Sequence, residues 1–105
     1  MTKTFRPIVY LCNSGTADTE EYCRFALEQG QIPLSPLSLM AAVQDEELKT
    51  HISSVLLGKC NELWVFGDTI TAGMKAEIDI AKRRKQQIRY FDSFMKEGKK
   101  NDKCK

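Results

Sequence analysis

The apolar run Leu63-Trp64-Val65-Phe66, entered through Glu62 and closed by Gly67-Asp68, constrains this chain more than any other stretch. Aromatic and β-branched residues over strand length, without polar alternation, suit a strand buried on both faces. Beyond the turn the spacing changes. Met74, Ile78 and Ala81 fall at i, i+4 and i+7, the repeat of one helix face. A central strand therefore hands over to a helix through the polar turn 67–73. Open parallel α/β sheets bind ligands outside the carboxyl ends of their strands, at turns of this kind. Thr69, Thr71 and the backbone N–H groups around Gly73 stand where a helix start receives an anion. Glu77 follows Gly73 by four residues, so the missing side chain leaves open space beside its carboxylate.

The rest of the chain supplies the neighbours such a strand needs. Ile8-Val9-Tyr10-Leu11-Cys12 reads as a buried first strand and Asn13-Ser14-Gly15-Thr16 as the turn after it. Asp18 with Glu21 resembles a capping box, Tyr22, Phe25, Ala26 and Gln29 follow one helical stripe, and Gly30 ends the helix. Ile32-Pro33-Leu34 is a short second strand whose proline assigns it to an edge. Residues 35–43 are apolar but carry Pro36 and two serines, which leaves two readings: a short helix over the strand ends, or part of a subunit contact. Asp45 opens a helix with Leu48, Ile52, Val55 and Leu56 on its expected buried side and Gly58 as its stop. The helix from Ala72 runs to about Arg84, and Gln87-Ile88-Arg89-Tyr90-Phe91 is the fourth strand.

Strands alternating with helices predict right-handed βαβ units. The expected fold is α/β: a small doubly wound parallel sheet of about four strands, flavodoxin- or Rossmann-like, in the order 2-1-3-4 with helices on both faces. The loops 13–16 and 68–73 would then face one another across the crevice between strands one and three.

A chain of 105 residues with 42% apolar content is expected to form one domain over 1–92, with a basic, frayed tail over 93–105. A net charge of +2 argues against a nucleic-acid surface. No apolar run approaches the roughly 18 residues of a membrane span, and the N-terminus lacks the apolar stretch of a signal peptide. Cys12, Cys23, Cys60 and Cys104 are scattered and His51 is the one histidine, which argues against a disulfide framework and a zinc site. The expectation is a cytoplasmic protein without metal or cofactor. Cys12 reads as a small buried hydrophobe, Trp64 as core, and His51 as solvent-facing.

The runs Lys59-Cys60-Asn61-Glu62-Leu63-Trp64-Val65-Phe66-Gly67 and Thr71-x-Gly73-Met74-x-x-Glu77-Ile78, with Tyr22-Cys23-Arg24-Phe25-Ala26 and Arg89-Tyr90-Phe91, carry a resemblance. They resemble a small uncharacterised domain family of bacteria and their phages. That family is similar to the nucleoside 2-deoxyribosyltransferases and the 2'-deoxynucleoside 5'-monophosphate N-glycosidases. The resemblance spans about residues 8–91. It implies cleavage of the bond between a deoxyribose and a nucleobase, with Glu77 at the position of the family's nucleophile. Thr71 matches the place of a serine near the 5'-phosphate in the nucleotide-cleaving branch, where the transferase branch has an aspartate. A hydroxyl there suits a phosphorylated ligand, because a carboxylate would repel phosphate. Tyr10, Asn13, Ser14 and Gly15 match the motif that lines the sugar and phosphate pocket, and Asp68 and Thr69 belong to the same turn as Thr71 and Gly73.

The sequence also departs from that pattern. Ser53 falls where the relatives carry an aspartate, Asn61 stands where an aspartate is common, and the first loop is short. Three readings follow: an enzyme acting on a nucleotide through Glu77, a module that binds a nucleotide without turning it over, and an interaction scaffold without a ligand. Read without the resemblance, Thr69 and Thr71 are helix caps and Glu77 is a solvated helix carboxylate. Relatives assemble as dimers or larger, and the apolar stretch at Leu37-Ser38-Leu39-Met40 fits a homo-oligomer, with a dimer favoured.

Overall fold

The structure, a computed structural model, describes residues 7–13, 19–67, 69–92 and 95–98. In chain order the elements are β1 (Ile8–Cys12), α1 (Thr19–Glu28), β2 (Ile32–Leu34), α2 (Leu37–Ala42), α3 (Glu46–Leu57), β3 (Glu62–Phe66), α4 (Ala72–Arg83), β4 (Gln87–Phe91) and β5 (Glu97–Gly98). They build a five-stranded sheet in the order β2-β1-β3-β4-β5. The first four strands are parallel, and β5 pairs antiparallel with β4. β3 sits at the centre, with Leu63 beside Tyr10 on one side and Ile88 on the other. β2, with Pro33, lies at an edge, where a strand tolerates the missing N–H.

Alternation along the strands divides the core in two. Val9, Leu11, Trp64, Phe66 and Phe91 meet Tyr22 and Ala26 of α1 on one face. Tyr10, Cys12, Leu63 and Val65 meet Leu57 of α3 and Met74, Ile78, Ile80 and Ala81 of α4 on the other. The first face is mostly aromatic: the Tyr22 and Phe66 rings stack with centroids 4.2 Å apart, and Phe66 and Phe91 stack at 5.0 Å. Such ring pairs contribute about 0.5–1.5 kcal/mol beyond the area they bury. α1 ends as expected at Gly30, whose φ of 83° suits a residue without Cβ. The Gly30 N–H reaches the Leu27 carbonyl and the Gln31 N–H the Ala26 carbonyl, which closes the last turn. Asp18, the expected cap, lies outside the described residues, and Gln29 at the end of the stripe is exposed.

Two expectations are corrected. The sheet has five strands and is mixed, where four parallel strands were expected. β5 has no apolar pattern to show in the sequence; a side-chain pair accompanies its pairing with β4. Arg89 Nε and Nη2 donate to Glu97 at 2.8 and 2.7 Å, while the guanidinium lies 5.0 Å from the Trp64 ring centroid and 5.4 Å from that of Phe91. Part of the expected tail is therefore in the sheet, and residues 99–105 lie outside the described ones. The second correction concerns α3. Its buried residues are Ser53 and Leu57, whereas Leu48 and Val55, expected inside, are each 45% exposed. Ile52 and Leu56 of the same expected side are half-buried, Leu56 against the core, and Ser53 turns toward α4.

Asp45 caps α3 by accepting from the Glu47 and Leu48 N–H groups, and His51 is exposed as expected. Residues 37–42 form the short helix α2, the first of the two readings of that segment. Among the described residues no helix is long and apolar enough to cross a membrane.

Candidate functional site

Glu77 owes its position to the apolar face of α4. It lies three residues after Met74, three before Ile80 and four before Ala81, all buried, so the helix that seats those three against the sheet carries a carboxylate in with them. The residue ends half-buried rather than solvated. Its Oε2 accepts the Tyr10 hydroxyl at 2.5 Å, a bond spanning 67 positions of sequence. The Cys12 thiol and the Ser53 hydroxyl also stand near enough to the carboxylate to favour its charged form. One strand supplies two of these three groups, because Tyr10 and Cys12 are two apart on β1 and share a face. α3 supplies the third.

Burial pushes the Glu77 carboxyl above the usual carboxylate range, against the pull of the Tyr10 hydrogen bond and of the nearby Cys12 and Ser53 groups. The same burial raises the Tyr10 hydroxyl and the Cys12 thiol, and the negative charge of Glu77 raises both further. Cys12 is thus held as a thiol. Its Sγ donates to the Met74 carbonyl at 3.8 Å, beside the Glu77 carboxylate; it is a polar neighbour of the acid and not a thiolate nucleophile.

Above the carboxylate a cavity of about 280 Å³ opens between α3 and α4. α4 contributes Gly73, Met74, Ala76, Glu77 and Ile80, with Thr71 at its cap position. α3 contributes Glu46, Lys49, Thr50 and Ser53, one polar face at helical spacing. Leu37 and Met40 of α2 form an apolar side, and Asn13, just beyond β1, completes the wall. A Cβ on Gly73 would meet nothing within 4 Å, so the glycine borders open space as expected. The Thr71 hydroxyl oxygen caps α4 by accepting from the Met74 N–H at 3.2 Å. Asn13 Nδ2 donates to Thr19 Oγ1 at 3.1 Å, tying the end of β1 to the start of α1.

Five of the expected site residues thus come together: Asn13, Thr71, Gly73 and Glu77 line the cavity, and Tyr10 reaches it through its hydrogen bond. Thr69 does not; it is exposed and outside the lining. Ser14, Gly15 and Asp68 lie outside the described residues. Sequence reasoning passed over Lys49, Thr50 and Glu46. Their signal was the polar face of α3, obscured because Leu48, Ile52 and Val55 suggested the opposite side as the buried one. Among the described residues no group of three His, Cys, Asp or Glu side chains is placed to hold a metal ion. A second, shallower depression on the α1 face is bordered by Glu21, Arg24, Phe25, Glu28 and Met95.

The cavity combines an apolar side, a small set of convergent polar groups and a carboxyl displaced from its ordinary titration, which are the general features of a small-molecule site. Residues 7–91 match the family described as a domain of unknown function, DUF7768. The chain belongs to that family. No curated protein matches it. The matched DUF7768 span runs from the approach to β1 to the last residue of β4, so it contains every residue that lines the cavity and leaves out β5.

Proposed function

We propose that the cavity between α3 and α4 binds a nucleotide and that Glu77 acts on the N-glycosidic bond of a deoxynucleoside 5'-monophosphate. The observation that carries this reading is the placement of Glu77: half-buried, hydrogen-bonded by Tyr10, and in one cavity with Asn13, Thr71 and Gly73. Departure of a nucleobase leaves an oxocarbenium-like sugar, which a positioned carboxylate stabilises or captures. Tyr10 donates to one oxygen of that carboxylate, and Cys12 and Ser53 stand beside it. The likeness of the Thr71–Gly73–Glu77 motif to the deoxyribosyltransferase and N-glycosidase group supports the same chemistry. So does the fold, read as a small doubly wound sheet whose strand order reverses between β1 and β3.

Incubation with each of the four common deoxynucleoside monophosphates, followed by chromatography, tests the proposal. Free base should accumulate with the parent protein and vanish with Glu77→Gln. One observation favours a second reading. Ser53, a hydroxyl and not an acid, is the α3 group that faces Glu77, so no carboxylic acid of α3 stands there to protonate a leaving base. In that reading the cavity holds a nucleotide without turning it over. Calorimetric binding that survives Glu77→Gln, with no product formed, selects it. Absence of binding in a thermal-shift panel of nucleotides selects the interaction scaffold.

The proposed assembly is a homodimer, in the cytoplasm where nucleotides are available. Leu39 of α2 and Leu48 and Val55 of α3 are 45–47% exposed, large apolar side chains of the kind an interface covers.

A further inference from the structure

We infer that Lys49 is the residue that reads the anionic group of the ligand, and so selects a phosphorylated nucleoside over a neutral one. This rests on the proposed nucleotide reading of the same cavity. Among the described residues lining it, Lys49 is the one cation. Its place follows from the register of α3 against α4. Both helices return from the carboxyl ends of parallel strands on the same face of the sheet, so they run in the same direction. Ser53 meets Glu77 at one level. One turn earlier on each helix stand Lys49 and Gly73, on opposite sides of the cavity. The open space that Gly73 leaves is thus bounded across the gap by an ammonium group.

Lys49 is also available. Its side chain is two-thirds covered, at 34% exposure, with the stem along the cavity wall. Its partner is Glu46 at 3.5 Å, and Glu46 is 85% exposed. An ion pair that open to water is weak, so a phosphate entering the cavity can take the ammonium from Glu46. Glu77 lies at the deeper level, where a second negative group would be repelled. The anionic end of a ligand is therefore directed toward Lys49 and Thr71, and its uncharged part toward Glu77.

Isothermal titration calorimetry with dAMP, dGMP, dCMP and dTMP, their parent nucleosides and inorganic phosphate tests this on the parent protein, Lys49→Gln and Lys49→Arg. The expected result is a loss of about tenfold or more in nucleotide affinity in Lys49→Gln, with nucleoside affinity unchanged and Lys49→Arg close to the parent. Inorganic phosphate should compete with nucleotide in the parent and not in Lys49→Gln. Nucleotide binding that is the same in the parent and Lys49→Gln overturns the role of Lys49 alone. Absence of nucleotide binding to the parent protein overturns the proposed function and this inference together. Unfolding temperatures of the variants confirm that a loss of affinity is not a loss of fold.

Discussion

The Tyr10 hydroxyl and the Glu77 carboxylate meet at 2.5 Å, joining the centre of the first strand to the middle of the last helix. The contact fixes which way the acid looks, because a half-buried carboxylate with a donor on one oxygen has few other rotamers. Tyr10→Phe removes the donor and leaves the anion short of a partner. A hydrogen bond to a charged group of this kind is worth about 1–3 kcal/mol, so urea unfolding at neutral pH should show a loss in that range. The Glu77 carboxyl should titrate still higher in the variant, read by carbon NMR of the side chain. An unchanged titration would show that Tyr10 does not support the anion.

The pH dependence of stability has a definite direction. Folding raises the affinity of the Glu77 carboxyl for its proton above the ordinary value of 4.5, through burial. A carboxyl shifted upward favours the folded state most below its unfolded value, and that contribution is lost as pH rises through the folded value. Glu77→Gln imitates the protonated acid and removes the loss. The variant and the parent should unfold at similar temperatures near about pH 4, and the variant at a higher temperature at neutral pH. Parallel curves across the whole range would contradict the assignment of a half-buried acid whose proton affinity rises on folding.

Gly73 separates folding from binding. Its Cβ position is open, and alanine is the better helix former, so Gly73→Ala should stabilise the chain by up to about 1 kcal/mol in thermal or urea unfolding. The added methyl enters the space over Glu77 and should weaken nucleotide binding. A variant that gains stability and keeps full affinity would place the ligand elsewhere.

Much of this is legible in the amino-acid sequence. The central strand, its handover to α4 and the edge position of β2 follow from the apolar run at Leu63–Phe66, the spacing of Met74, Ile78 and Ala81, and Pro33. The acid could be found because Glu77 follows Gly73 by four residues and matches the Thr71–Gly73–Glu77 motif. α3 misled for a physical reason. Leu48 and Val55 of its apolar stripe are exposed while Ile52 and Leu56 are half-buried, and the polar Lys49 and Ser53 face a cavity, so the usual inside-apolar rule places only part of the helix. β5 was hidden because a two-residue strand accompanied by the Arg89–Glu97 pair leaves no periodic pattern.

The exposed Leu48 and Val55 of α3 give the oligomer prediction. Leu48→Lys with Val55→Lys replaces exposed side chains and should change monomer stability by no more than about 0.5 kcal/mol. Light scattering should nonetheless show a shift from dimer to monomer. A parent protein that is already monomeric would remove the homodimer from the account.

The central claim is that a small ligand sits between α3 and α4 against Glu77, and amide NMR tests it most directly. Titration with deoxynucleoside monophosphates should move the resonances of Asn13, Lys49, Ser53, Gly73 and Glu77 together and saturably. Spectra unmoved by every nucleotide, or shifts confined to Glu21, Phe25 and Met95 on the opposite face, would contradict it.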